Sequence, residues 1–273
     1  MSFESTLYPS EFVIDDDNYK VHADIFDADS DERQRGRIPR DWDACPYGSM
    51  PGVEAFGLPL IPRSEWKDRI EKMEKTKSRL SDIVLRKGIP SLDQNGTNYC
   101  WTNAVITAML TLRAAQGDKY VPLSPASVAA PIKGYRNQGG WGGDALDYII
   151  KHGVSASEYW PPNYWASAKY DNEDSRDSRA RHKVTEWWDL QSRNFDQMMT
   201  CLLMRIPVPI GLNFWSHEVC AMDPVVVGNG FGVRFRNSWG DSYGEKGFAI
   251  LSGSKAIPDD AVAPRVTQGG DIA

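Results

Sequence analysis

The strongest constraint on this chain is a change of hydrophobic period near residue 184. Before it, apolar residues recur at helical spacing. Trp101, Ala104, Val105, Ala108, Met109 and Leu112 follow an i, i+3, i+4, i+7, i+8, i+11 pattern, which puts one broad apolar face on a helix. That helix starts near Asn98, so Cys100 falls in its first turn, and Gly117 is a good residue to end it. A helix is also expected from Ser64 to about Lys87, with Trp66, Ile70, Met73 and Leu80 on one face. Another begins at Ser124-Pro125, an N-cap followed by proline. A further one carries Ala145, Leu146, Ile149 and Ile150 and stops at Gly153. After residue 184 the pattern shortens. Val184–Leu190 reads as a strand and Phe195 to Leu203 as one more helix. Apolar runs then follow at Val208–Phe214, Glu218–Val227, Phe231–Asn237 and Gly247–Leu251, with Gly228-Asn229-Gly230 as a hairpin turn. Helices followed by antiparallel strands imply an α+β fold of two lobes.

The ends read differently. Residues 1–32 hold ten acidic residues against one basic, Lys20, so the net charge of −6 belongs to this segment and not to the body. With few apolar anchors it is expected to be a solvated, loosely ordered extension. Residues 36–62 contain five prolines and read as an extended strap without its own core. The boundaries expected are therefore an acidic, Pro/Gly-rich extension over 1–63 and a catalytic domain over 64–251. That domain has a helical lobe at about 64–183 and a β lobe at about 184–251. A flexible tail follows at 252–273, and 166–183 is expected to be a surface loop. The acidic balance argues against a nucleic-acid partner. No run of about 18 apolar residues marks a membrane span, and the opening residues lack the basic start and apolar core of a secretory signal.

Nucleophilic catalysis by sulfur needs a thiolate, a base, a group that orients the base, and donors for the oxyanion. Cys100 at a helix N-terminus is placed for stabilisation by the dipole and the free N–H groups there. His217 starts one strand, Asn237 ends the next, and Gln94 lies six residues before Cys100.

These residues resemble a known family. Gln94-Asn95-Gly96, then Cys100-Trp101 and a helix, is similar to the nucleophile region of papain-family cysteine proteases. Asn237-Ser238-Trp239-Gly240 followed by Tyr243-Gly244-Glu245-Lys246-Gly247-Phe248 resembles that family's Asn-Ser-Trp-Gly block and glycine-rich strand turn. Arg86-Lys87-Gly88-Ile89-Pro90 is similar to the start of the mature enzyme, and Asn137-Gln138-Gly139-Gly140-Trp141 to its substrate-binding glycine segment. The order Gln, Cys, His, Asn is the family's. His217 follows Cys100 a little early for the family spacing of about 130–150 residues.

The resemblance implies a papain-like fold, with a helical left lobe and an antiparallel β right lobe, and endopeptidase activity on a peptide or protein substrate without a cofactor or metal. Cys100 would be the nucleophile, His217 the base and then the acid, and Asn237 the orienter. Gln94 and the Cys100 N–H would form the oxyanion hole. Trp239 would shield the Asn–His hydrogen bond, Gly139 and Gly140 would admit substrate backbone, and Trp141 would wall a pocket. The family's disulfide positions beside the nucleophile hold Thr97 and Asn137, which together with only four cysteines points to a reducing, cytoplasmic setting, or to a virion if the chain is phage-derived. Cys45, Cys201 and Cys220 read as free thiols. The extension is expected either to be removed, to block the cleft or simply to dock on the catalytic domain. The alternative functions are a retired protease fold serving as a structural or binding protein, such as a phage-particle component, and a Cys-His hydrolase or transferase acting on cell-wall peptides.

Overall fold

The computed structural model describes residues 12–22, 34–50 and 53–269. In chain order they form β1 (Val13–Ile14), β2 (Val53–Ala55), α1 (Arg63–Lys75), α2 (Leu80–Arg86), α3 (Cys100–Gln116), α4 (Ala126–Ile132), α5 (Gly142–His152) and α6 (Glu173–Ala180). Then come β3 (His182–Leu190), α7 (Phe195–Leu203), β4 (Val208–Leu212), β5 (His217–Val227), β6 (Gly230–Arg236), β7 (Phe248–Leu251) and β8 (Asp260–Gly269). The strands join in one sheet, ordered β1-β7-β6-β5-β4-β8-β3-β2. The edge pairs β1/β7 and β2/β3 are parallel and the rest antiparallel.

The helix α3 is the axis of the molecule. Residues Cys100 to Ala114 are all buried, so it is covered on every side rather than along one stripe. Two of its hydroxyls are satisfied locally: Thr102 Oγ1 donates to the Tyr99 carbonyl and Thr111 Oγ1 to that of Thr107, which lets them be buried at low cost. Asn103 Nδ2 also donates to the Tyr99 carbonyl, while its Oδ1 is buried without a partner. One apolar core lies among the helices around Trp101, Val105, Met109, Leu146 and Trp160, and a second is built on the sheet around Trp66, Met199, Ile210, Trp215 and Phe235.

Four expectations are corrected. Residues 252–269 of the expected tail are not loose, and 270–273 lie outside the described residues: β8 is an interior strand with Ala261, Val262 and Ala263 buried. Pro264 lies within this strand although proline donates no ladder bond. It falls beyond Ala261, the last β8 residue paired with β4, so one side of β8 has no strand partner there among the described residues. The helix expected over 64–87 is two helices. Lys77 takes φ 52°, and the buried Asp223 carboxylate of β5 accepts the Leu80 and Ser81 N–H groups, which rewards a new helix start at that point. The expected loop at 166–183 contains α6, capped by Asn172 Oδ1 on the Ser175 N–H at 3.0 Å. In the acidic extension, Val13–Ile14 adds a strand to the sheet edge with Ile14 buried. Residues 1–11 and 23–33 lie outside the described residues.

The strap has anchors of its own. The Arg40 guanidinium makes a two-point bond to the Asp189 carboxylate at 2.7 and 2.8 Å, with both side chains fully buried. All four cysteines are free. Among the described residues no helix is long and apolar enough to cross a membrane, and no cluster of three or more His, Cys, Asp or Glu is placed to hold a metal ion.

Candidate active site

Cys100 is the first residue of α3, and His217 is the first of β5, which packs against α3. The backbone N–H groups of Glu218, Gly36 and Trp101 lie on the Cys100 sulfur. The thiol therefore rests against the residue that follows His217. In this closed arrangement burial, and then the Glu218 charge, push the thiol up to about 12, and the three N–H groups only partly oppose them.

His217 is buried and its tautomer is fixed by its partner. The ring Nε2 lies 2.7 Å from Asn237 Oδ1. The same Oδ1 accepts the Ser238 N–H at 2.8 Å, so it is an acceptor and Nε2 must carry the proton. Nδ1 is left as the basic nitrogen, buried and without a hydrogen-bond partner. The Trp239 ring stacks on the imidazole at 4.8 Å and 27°, and Trp215 meets it edge-on at 5.1 Å. Both rings thus pack on the imidazole that bonds Asn237.

Burial lowers the His217 pKa to about 4; the Asn237 hydrogen bond works against this and the Arg35 charge adds to it. Between about pH 4 and 6.5 an unfolded imidazole binds a proton that this one does not, so His217 favours unfolding as pH falls through that window. Glu218, whose carboxyl is raised by burial and by Asp260, acts in the opposite sense as pH rises. Histidine NMR of the full chain should show the His217 ring still neutral at pH 5.5; a midpoint near 6.5 would contradict the closed site.

Gln94 is fully buried and its amide is oriented from both ends. Oε1 accepts Ser238 Oγ–H at 2.5 Å, while Nε2 donates to the carbonyls of Gln34 at 2.6 Å and Thr97 at 2.8 Å. Residues 91–94 are zipped to 237–240: Gln94 N–H to Ser238 O, Gly240 N–H to Leu92 O, and Ser91 Oγ–H to Asn237 O. The amide donor and the imidazole orienter are thus parts of one hydrogen-bonded unit. Cys100, Gln94, His217 and Asn237 come together on α3, the loop before it, β5 and the end of β6.

A family model described as "Papain family cysteine protease" matches residues 86–264. The chain belongs to the papain family of cysteine proteases. Among curated proteins, this papain-family chain is similar to cysteine protease Amb a 11.0101 of Ambrosia artemisiifolia, at 26% identity over 185 residues, 58% of this chain and 46% of the relative. It spans about half the length of that relative. The digestive procathepsin L 3 of Tenebrio molitor shares the fold, with a TM-score of 0.57, 16% identity and coverage of 92% of this chain and 89% of that one. So does xylellain, a cysteine protease from Xylella fastidiosa, with a TM-score of 0.56, 18% identity and coverage of 85% and 96%.

Where the papain-family resemblance would place bridging cysteines, hydrogen bonds hold the nucleophile loop. Asn137 Oδ1 accepts the Asn98 N–H at 2.7 Å, Asn137 Nδ2 donates to Gly96 O at 2.9 Å, and Thr97 Oγ1 donates to Gln94 O at 2.6 Å.

The strap crosses this papain-family site. Gly140 N–H donates to Gly36 O, and Ile38 N–H to Gly140 O, both at 2.8 Å. A Cβ on Gly139 would collide with the Gly36 carbonyl, and one on Gly140 with the Trp101 ring. Gly139 thus makes room for strap backbone and Gly140 for the Trp101 ring, while the backbone bonded to Gly140 belongs to residues 36–38. Trp141 is buried, with Nε1 donating to Asp260 Oδ1 at 3.1 Å. The sequence reading missed Gln34, Gly36, Arg37, Glu218 and Asp260. Two signals pointed to them: the basic run at 33–37 beside an acidic segment, and a glutamate heading an apolar strand directly after the histidine.

Proposed function

We propose that this chain is a cysteine endopeptidase whose own strap occupies its cleft. The observation that carries this is the Gln94 amide, held by Ser238 and giving its Nε2–H to a peptide carbonyl, Gln34 O, beside a thiol at a helix N-terminus. A substrate carbonyl in the place of Gln34 O would sit in an oxyanion hole made by Gln94 and the Cys100 N–H. His217 Nδ1 takes the thiol proton, and the sulfur attacks the carbonyl carbon. The C–N bond breaks as the imidazolium returns the proton to the leaving amine. Water, deprotonated by His217, then attacks the thioester and releases the carboxylic product and the free thiol. Asn237 holds the ring through both halves of the cycle.

In the closed chain burial pushes the Cys100 thiol up to about 12 and the His217 imidazole down to about 4, so neither is charged at neutral pH. Displacing residues 34–38 admits water, removes most of the burial penalty and leaves the helix terminus and the N–H groups to favour the thiolate. The fold match to a procathepsin over 92% of the chain supports a strap-covered form. No observation favours the retired-scaffold reading.

The test is Arg37→Ala, which removes the buried side chain that anchors the strap beside the site. Casein hydrolysis and iodoacetamide labelling of Cys100 should both rise at least about tenfold over the unaltered chain, because the thiolate is the reactive form. A folded Arg37→Ala chain that labels readily at Cys100 yet cleaves nothing would overturn the reading. In that background, Gln94→Ala should lower kcat by about 10²–10³-fold with a small change in KM, as expected for loss of one oxyanion donor.

A further inference from the structure

The side chain that the strap buries beside the catalytic residues is a specific one. Arg37 lies next to Gly140 as an isolated bridge, and its guanidinium points inward with a side-chain exposure of 1%. One terminal nitrogen donates to Asn213 Oδ1 and the other to Asp260 Oδ2. Asp260 is held in place by the Trp141 indole. Glu218 lies behind it, fully buried, taking the Gly142 N–H on Oε2 at 3.2 Å. Two backbone gaps make room for the arrangement. A Cβ on Gly211 would collide with Arg37 Nε, and a Cβ on Gly142 would collide with Glu218 Oε1.

Acidic residues brought close in a buried place are unfavourable without a cation. Burial raises both carboxyls, the Asp260 charge raises Glu218 further, and the Arg37 charge opposes the shift in both. When the strap leaves, the cation leaves with it. The pocket then opens beside Gly139 and Gly140, and its Glu218 wall is the residue whose N–H touches the Cys100 sulfur. A fork of two acceptors, one neutral and one anionic, suits a planar guanidinium better than a point ammonium.

Resting on the peptidase reading, we propose that this pocket selects a basic residue, arginine before lysine, in the substrate segment lying along Gly140, and that Arg37 is its built-in occupant. Asp260 and Glu218 provide the charge, Asn213 the second acceptor, and Gly211 the space.

Two full-length variants separate the parts. Arg37→Ala vacates the pocket and leaves it intact. Gly211→Ala expels the Arg37 side chain and also closes the pocket to a substrate side chain. Each is given fluorogenic peptides that carry arginine, its neutral isostere citrulline, lysine, leucine or glutamate at each position in turn before the scissile bond. The Arg37→Ala chain should cleave one arginine series at least about tenfold faster in kcat/KM than its citrulline counterpart, because unpaired buried polar groups reject an analogue that lacks the partner. In the Gly211→Ala chain that ratio should fall to within about threefold. Turnover by Arg37→Ala with no position preferring arginine over citrulline would overturn the pocket. Absence of any turnover would instead count against the peptidase reading. The pocket is then judged by whether ethylguanidinium raises the melting temperature of Arg37→Ala and not of Gly211→Ala; no difference overturns it.

Discussion

Replacing Cys100 by alanine in a chain opened by Arg37→Ala should lower casein hydrolysis by about 10⁴-fold or more, since loss of a covalent nucleophile removes the route and not merely some of its stabilisation. Position and surroundings both argue for this residue. Cys100 alone among the four cysteines starts a helix, and it receives three backbone N–H groups. Cys201 and Cys220 are buried inside α7 and β5 with their thiols also pushed up by burial, which the Arg265 and Arg236 charges only partly oppose, and neither lies at a helix N-terminus. The fold should survive, because alanine is a better helix former than cysteine and the thiol makes no disulfide. The decisive measurement is kcat/KM for both chains, with circular dichroism as the folding control. Residual hydrolysis within tenfold of the parent would remove Cys100 from the mechanism.

The second large effect is expected at His217. In the same opened background, His217→Ala should cost about 10²–10⁴-fold in kcat, the range for loss of a general acid–base group. Acylation and leaving-group protonation both rely on Nδ1. Its basicity depends on the proton being held on Nε2 by Asn237 Oδ1, which the Ser238 N–H confirms as an acceptor. Alkylation of Cys100 at pH 6 should slow in parallel, because the imidazolium no longer favours the thiolate. That second readout separates a loss of the base from a local collapse under Trp215 and Trp239, which would expose those rings and change their fluorescence. Unchanged kcat would mean that another group takes the proton.

Both predictions concern residues that were legible in the chain before any folding was considered. The catalytic segments are local signals: a nucleophile at the start of a strongly periodic helix, a histidine opening a strand, and an asparagine closing one beside Ser-Trp-Gly. Their local structures depend on residues within a few positions, so α3, α7 and the β5/β6 hairpin were read correctly in kind. The break between α1 and α2 was not legible, because its cause, Asp223, lies about 140 residues away. Nor was β8, because a proline-containing stretch becomes a strand only when β3 and β4 stand ready to pair with it.

The same division runs through the site. Sequence alone determined which residues carry the chemistry, since nucleophile, base, orienter and amide donor are defined by residue type and by order along the chain. Only the tertiary structure decided what the site holds and what it would accept. Gln34 reaches Gln94 across 60 residues, Arg37 reaches Asp260 across 223, and Glu218 faces that pair from β5. Such contacts leave no periodic trace. They follow from where the sheet places its ends, and the cost of leaving buried charge unpaired then selects which side chain fills the gap.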